Sequence, residues 1–148
     1  MILFQNQFKN PSLQKPKTGA PKIPNQKPGH PSVDDPNTRF THSTVPYQDV
    51  SGTVIANNWA GLTSGTLVNA ITTTETGGSN SNAVWTNVAT NGTATNSGSS
   101  STYNCTAWTI TTGSKHANVG TSGSATSTWT VLSSDVCSVS LPLYCFQQ

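Results

Sequence analysis

From residue 44 onward, short apolar runs alternate with stretches rich in Gly, Ser, Thr and Asn. Apolar residues at a spacing of two, bounded by such stretches, are typical of short β-strands. The pattern predicts strands on both sides of a Ser51-Gly52 turn within 44–56 and at 67–74, 83–88, 104–110, 128–132 and 141–146. The segments 90–102 and 111–127 contain few apolar residues and are predicted to be polar loops.

Helix signals are few in this chain. No segment has the apolar stripe with a 3.6-residue period that marks an amphipathic helix. Asn57-Asn58 is a turn or helix-capping signal, which could open one helical turn ending near Gly65. The sequence therefore predicts an α+β fold that is mostly β, with long polar loops and little helix.

The first 43 residues differ in composition from the rest. Eight of the nine prolines lie within 9–46, interleaved with lysines as in Lys15-Pro16-Lys17. Because proline fixes φ and disfavours helix at the residue before it, we predict an extended, disordered tail over 1–43 and a domain over 44–148. The tail is either a solvated linker or a basic strap that docks on an acidic surface or an anionic polysaccharide.

Composition points to a secreted kind of domain. Ser, Thr and Asn make up 57 of the 148 residues, whereas the apolar set is only 32%. A core this thin usually needs disulfides, which form in oxidising compartments. We therefore expect an extracellular or cell-surface location, although no signal peptide is visible and no apolar run approaches a membrane span.

The formal net charge of +2 belongs to the tail rather than to the domain. Six of the seven basic residues precede position 40, and after Val50 only Glu75, Lys115 and Asp135 carry charge. A surface with so few cations cannot neutralise a row of phosphates. Nucleic-acid binding by the domain is therefore not expected.

Several motifs of the domain, taken in order, resemble a known kind of module. They are Val54 to Trp59 (VIANNW), Leu62 to Leu67 (LTSGTL), Ala83 to Thr86 (AVWT), Cys105-x-x-Trp108-Thr109, Cys137 and the closing Leu143 to Phe146 (LYCF). The cysteine-containing part resembles the C-terminal part of the endostatin domain of collagens XV and XVIII, a variant of the C-type lectin-like fold. The first, second and last motifs resemble more closely a bacterial family of unknown function found in surface proteins and lipoproteins.

This resemblance implies a disulfide between Cys105 and Cys137 and leaves Cys145 as an unpaired thiol. The family's N-terminal strand and helices, which carry the partner of the last cysteine, are replaced here by the tail. We therefore expect an incomplete C-type-lectin-like, or endostatin-like, sheet. The residues alone leave open a metal site of three cysteines and His116, although no Cys-x-x-Cys pair begins one. The zinc, heparin and calcium-dependent sugar sites of these families have no matching residues here, so neither a metal nor another cofactor is expected.

Ligand contacts are predicted on one loop and beside it, since loops on a β scaffold commonly hold recognition residues. The candidates are Lys115, His116, Asn118 and Trp129. Catalysis is the alternative, with Cys145 as a nucleophile assisted by His116. Paired carboxylates for glycoside hydrolysis would have to come from Glu75 and Asp135, with Asp49 as the next acid in the sequence. The sequence offers no carboxylate to orient His116, and scattered acids are usually turn residues or helix caps. No catalytic residue is therefore predicted.

Three functions follow from these observations. The first is a non-enzymatic binding module outside the cell, adhesin-like, whose partner is a host or matrix protein or a glycan. The second is a structural or spacer domain of a larger bacterial surface or fibre protein, and the third is a secreted hydrolase. We favour the first, because the candidate residues suit recognition better than catalysis.

Overall fold

The computed structural model describes residues 2–6, 35–95, 104–109 and 111–147, and its elements are all short. In chain order they are β1 (Ile2–Asn6), α1 (Pro36–Arg39), β2 (Tyr47–Asp49), β3 (Val54–Ala56), α2 (Trp59–Leu62), β4 (Ala83–Trp85), α3 (Cys105–Trp108), β5 (His116–Thr121), a 3-10 turn (Ser127–Trp129), β6 (Ser133–Val136) and β7 (Tyr144–Phe146). The fold is mostly β with little helix, as predicted. The lectin-like identity of the fold stays a prediction.

The strands form two sheets. The first has the order β3-β2-β1-β7, in which β1 is antiparallel to β2 and parallel to β7. The second is the antiparallel sheet β4-β5-β6. The two are joined where Trp85 forms a parallel bridge with Leu143, with the Trp85 amide donating to the Pro142 carbonyl at 3.0 Å. This junction brings the end of β4 beside the segment that leads into β7.

Two clusters of buried side chains make up the core. The larger comprises Tyr47, Ile55, Ala56, Leu62, Leu67, Ile71, Val84 and Trp129. The smaller comprises Trp85, Cys105, Ala117, Val119 and Cys137. Adjacent residues of β4, Val84 and Trp85, belong to different clusters, because successive side chains of a strand point to opposite faces. One strand therefore contributes to both halves of the core.

A disulfide joins Cys105 to Cys137 inside the smaller cluster, with 5.7 Å between the two Cα atoms. The pairing that the resemblance implied is thus present. It ties α3 to the turn that follows β6. The bond also removes the metal-site alternative, because two of the three thiolates that such a site needs are consumed in it.

Residues 35–43 pack on the domain, although the sequence places them in the tail. Asp35 is buried, and its Oδ2 accepts a hydrogen bond from the Ala94 amide at 3.2 Å. The strand β1 also falls within the predicted tail. The described parts of that segment thus belong to the fold, and the extended conformation predicted over 7–34 concerns residues outside those described.

Several predicted strands are confirmed and others are wrong. The hairpin within 44–56, the strand that starts at Ala83 and the final strand are present as β2, β3, β4 and β7. Of the predicted strand 104–110, the described part 104–109 contains the helical turn α3 instead of a strand. The segment 128–132 begins in the 3-10 turn, and 67–74 forms no strand. The predicted polar loop 111–127 contains β5, the central strand of its sheet. Its alternation of His, Ala, Asn and Val is masked by the Ser- and Gly-rich sequence around it.

The single helical turn predicted after Asn57-Asn58 is confirmed as α2. Asn58 is its N-cap, and the side-chain oxygen accepts from the Gly61 amide at 2.8 Å. No helix among the described residues has both the length and the apolar character needed to cross a membrane.

Loss of the disulfide should destabilise the protein without changing its strand order. The bond closes a loop between cysteines 32 residues apart, which in the chain-entropy model is worth about 3 to 4 kcal/mol. We expect Cys105→Ala/Cys137→Ala to lower the free energy of unfolding by up to about 3 to 4 kcal/mol, measured by urea denaturation. Cys145→Ala is the matched control, and an equal loss in that variant would contradict the pairing.

Asp49 should make the stability of the β2–β3 hairpin depend on pH. Burial opposes its ionisation, but hydrogen bonds from Ser51, Thr73 and Thr53 outweigh burial and lower the pKa of Asp49. Since the folded pKa is lowered, this stabilisation is complete above the unfolded pKa of about 3.9 and is lost as pH falls through the folded value. We expect Asp49→Ala to cost about 1 to 3 kcal/mol at neutral pH and to unfold with a weaker dependence on pH between about 5 and 2 than the wild type. Equal pH profiles in urea titrations would contradict this assignment.

Candidate ligand-binding groove

An aromatic groove of about 230 Å³ lies where the two sheets meet. All four tryptophans of the chain line it, together with three further aromatic rings. The seven are Phe40, Trp59, Trp85, Trp108, Trp129, Tyr144 and Phe146. They come from six separate segments of the described chain, so the groove exists only in the folded domain.

The polar groups of the groove are uncharged. Its walls include four threonines, Thr63, Thr86, Thr90 and Thr130, and no Lys, Arg, Asp, Glu or His occurs among the described lining residues. The hydroxyls of Thr63, Thr86 and Thr130 already donate to backbone carbonyls of the protein, so they face a ligand chiefly as acceptors. The groove therefore offers flat apolar surfaces with neutral hydrogen-bonding groups between them.

Trp59 is held by contacts on several sides. Its backbone amide donates to the Ser43 carbonyl at 2.8 Å. The His42 ring stacks on it with the centroids 4.2 Å apart and the planes within 5°. Gly92, at φ +83°, lies so close that an added Cβ would come within 3.1 Å of the indole Cζ2. The segments on either side of the indole thus fix the part of it that faces the groove.

Trp129 is fixed at the end of the 3-10 turn. Its carbonyl accepts from the Tyr144 hydroxyl at 3.1 Å, and a Cβ on Gly120 would overlap that same carbonyl group. Glycine at position 120 therefore allows the turn to lie directly against β5. The Trp129 indole nitrogen is buried and has no hydrogen-bond partner in the described part of the chain. Such a donor is costly to bury.

Trp85 and Trp108 form the wall of the groove nearest the disulfide. Their rings meet edge to face, with centroids 5.8 Å apart and planes at 72°. Trp85 is buried, whereas Trp108 is 51% exposed. An exposed indole held against a buried one is available to a ligand without unfolding of the core.

Of the predicted ligand contacts, the groove contains only Trp129 among the residues that line it. Lys115 and His116 lie at the start of β5, where the Lys115 carbonyl accepts from the Cys137 amide at 2.8 Å. Asn118 supports the groove from behind, because its carbonyl accepts from the Thr86 amide at 3.2 Å and its side chain donates to Thr95. The structure thus does not bring the four residues together in one site.

Sequence reasoning missed most of the groove. It named Trp129 alone among the tryptophans as a ligand contact, although four large rings in a chain poor in apolar residues were a signal that they share one location. Phe40 was missed because it lies in the predicted tail. Tyr144 and Phe146 entered the sequence analysis only as part of the closing LYCF motif.

The residues considered for catalysis are not assembled in the groove. Glu75 and Asp135 are not among its lining residues, and the Asp135 carboxylate accepts from the adjacent Val136 amide at 2.8 Å. Burial raises the pKa of the Cys145 thiol, which disfavours the thiolate that a nucleophile requires. Burial likewise raises the pKa of Tyr144, so its hydroxyl stays protonated and donates to Trp129.

No cluster of three or more potential metal ligands occurs among the described residues. Comparison with known proteins adds no further assignment: no family model matches the chain, and neither a curated protein nor a solved structure gives a significant match. The chemistry of the groove is therefore inferred from its own residues.

The packing of Gly92 against Trp59 gives a matched test of the groove's geometry. Gly92 and Gly77 have nearly equal positive φ values, +83° and +81°, but a Cβ at Gly77 would meet nothing within 4 Å. Both alanine variants incur a backbone cost of about 1 to 2 kcal/mol. We expect Gly92→Ala to lose about 1 to 3 kcal/mol more than Gly77→Ala in urea denaturation and to shift the tryptophan emission spectrum. Equal losses and unchanged emission would show that the indole does not lie against Gly92.

Proposed function

We propose that this protein is a non-enzymatic extracellular binding module that recognises a neutral glycan in its aromatic groove. The proposal is supported above all by one observation, the convergence of all four tryptophans on an uncharged groove. A sugar ring has an apolar face of C–H groups and an edge of hydroxyls. Aromatic planes suit the first and threonine hydroxyls suit the second.

The charge of the groove favours a neutral ligand over an anionic one. Recognition of sulfate, phosphate or carboxylate groups normally uses charge-assisted hydrogen bonds from Arg or Lys, and neither type lines the described groove. A sulfated polysaccharide would find no counter-charge there. For the same reason the affinity should vary little with salt concentration.

The size of the groove favours a small unit. Pockets for drug-sized ligands typically occupy about 300 to 1,000 Å³, whereas this groove has about 230 Å³. It thus suits one or two rings of an oligosaccharide rather than a long segment. An apolar side chain of a protein partner is the competing occupant, and it becomes an outcome of the test.

Location outside the cell fits the covalent chemistry of the chain. The Cys105–Cys137 disulfide is of the kind that persists in oxidising compartments. The resemblance to endostatin-like and C-type-lectin-like domains, including the bacterial surface-protein family, also supports a recognition role. We accordingly propose display on a cell surface or release from the cell.

Binding should depend on the exposed tryptophan of the groove. We expect the full chain to bind neutral oligosaccharides on a glycan array, with cellotetraose as the first probe in calorimetry. Trp108→Ala should weaken binding at least about tenfold, since loss of a stacking tryptophan typically costs more than 1.4 kcal/mol. Its thermal stability should change little, because half of that side chain is already exposed.

Leu132→Ala is the control for that variant. Leu132 is also large, apolar and 50% exposed, but it does not line the groove. The Leu132→Ala variant should therefore bind the oligosaccharide with wild-type affinity. Absence of binding to every neutral oligosaccharide, combined with capture of a protein on a protein array, would overturn the glycan proposal. Equal affinities of the wild type and Trp108→Ala would overturn the assignment of the groove.

A further inference from the structure

The turn that carries Trp108 is left-handed. Cys105, Thr106 and Trp108 have φ values of +51°, +53° and +63°, although none of them is glycine. Side chains with a Cβ rarely adopt this conformation, and for a β-branched residue such as Thr106 it is an outlier. Residues in such conformations persist only where the surrounding structure determines them, and they concentrate at functional sites.

The surroundings of α3 show what determines it. Cys105, its first residue, is bonded to Cys137 and buried with it beside Trp85. A backbone hydrogen bond spans the turn, in which the Trp108 amide donates to the Asn104 carbonyl at 3.0 Å. Asn104 in turn bridges to Ala117 of β5. The start of the turn is therefore fixed at two points to the second sheet.

Handedness decides where the last residue of the turn points. Three residues after Cys105, a left-handed turn places Trp108 against Trp85 at a centroid distance of 5.8 Å. A right-handed turn starting from the same fixed cysteine would direct the indole to a different side. The position of Trp108 in the groove thus depends on the left-handed conformation.

We infer that the Cys105–Cys137 bond and the left-handed turn together act as a positioning device, which holds Trp108 in the groove as a ligand-contacting wall. Ligand affinity then depends on the bond through Trp108, beyond its effect on overall stability. This inference rests on the proposed function, because it names how that site is completed. Thr106 and Cys105 are positioning residues in it, and Trp108 makes the contact.

Two substitutions at Thr106 test the turn while the disulfide stays intact. Glycine accepts φ of +53° without steric cost, whereas proline fixes φ near −65° and excludes it. We expect Thr106→Gly to bind cellotetraose as the wild type does. Thr106→Pro should lose at least about tenfold in affinity, as Trp108→Ala does, and should still unfold cooperatively. Wild-type affinity in folded Thr106→Pro would overturn the inference.

A double-mutant cycle gives a second test, independent of whether the proline variant folds. Trp108→Ala is combined with Cys105→Ala/Cys137→Ala, and affinities are measured at a temperature where far-ultraviolet circular dichroism shows all variants folded. If the bond acts through Trp108, its removal should weaken binding about tenfold in the wild-type background and less than about twofold with Trp108→Ala. Equal losses in both backgrounds would show that the bond acts by another route.

A readout without ligand separates failure of this inference from failure of the glycan proposal. Two indoles whose centroids lie 5.8 Å apart should couple through their intense ultraviolet absorption band and give a paired circular dichroism signal that a single indole lacks. This signal should be absent in Trp108→Ala, lost in Thr106→Pro and in the cysteine double variant, and retained in Thr106→Gly. Its retention in Thr106→Pro would overturn the positioning device. If the wild type binds no oligosaccharide but the signals change as expected, the glycan proposal fails and the device stands.

Discussion

The covalent bond between Cys105 and Cys137 is the constraint on which this domain's most polar region depends. The segments it joins come from stretches dominated by Ser, Thr, Asn and Gly, which supply little apolar surface. Within the part of the chain that the structure describes, the smaller core cluster contains Trp85, Ala117 and Val119 besides the two cysteines, with Leu141 packed against it. With so little apolar area to bury, hydrophobic association alone stabilises this region weakly. The disulfide adds stabilisation because it restricts the unfolded chain by closing a loop.

Aromatic side chains compensate for the thin core, and this explains why the groove has its composition. Trp129 belongs to the larger cluster and Trp85 to the smaller one, yet both also line the groove. Each ring therefore packs against the core with part of its surface and presents another part to the cavity. A chain with few Leu, Ile and Val residues thus forms its core and the walls of its groove partly from the same residues.

The sequence allowed the β-rich character, the α2 turn capped by Asn58 and, through a family resemblance, the disulfide to be predicted. It failed where tertiary contacts override local pattern. The alternation around Cys105 is typical of a strand, but the disulfide and the bridge from Asn104 fold this stretch into a left-handed turn. The strand β5 was hidden because its residues are mostly small or polar and gain their burial from the neighbouring strands. Phe40 and Asp35 could not be assigned to the domain, because the prolines around them indicate a tail and their partners are distant in sequence. Those partners are Trp59 and Phe146 for Phe40, and Ala94 for Asp35.

Magnitudes explain why the bond and the turn occur together. A left-handed conformation costs about 1 to 2 kcal/mol for each residue with a Cβ, so three such residues cost about 3 to 6 kcal/mol. The loop-closure term of the disulfide is about 3 to 4 kcal/mol, which is of the same size. The cost of the turn therefore equals or exceeds the loop-closure term, so the left-handed conformation also depends on the bridge from Asn104 to Ala117 and on the packing of Trp108 against Trp85. The bond and the turn thus fix the position of the exposed Trp108 indole at a cost in stability, which agrees with the ligand contact proposed for it.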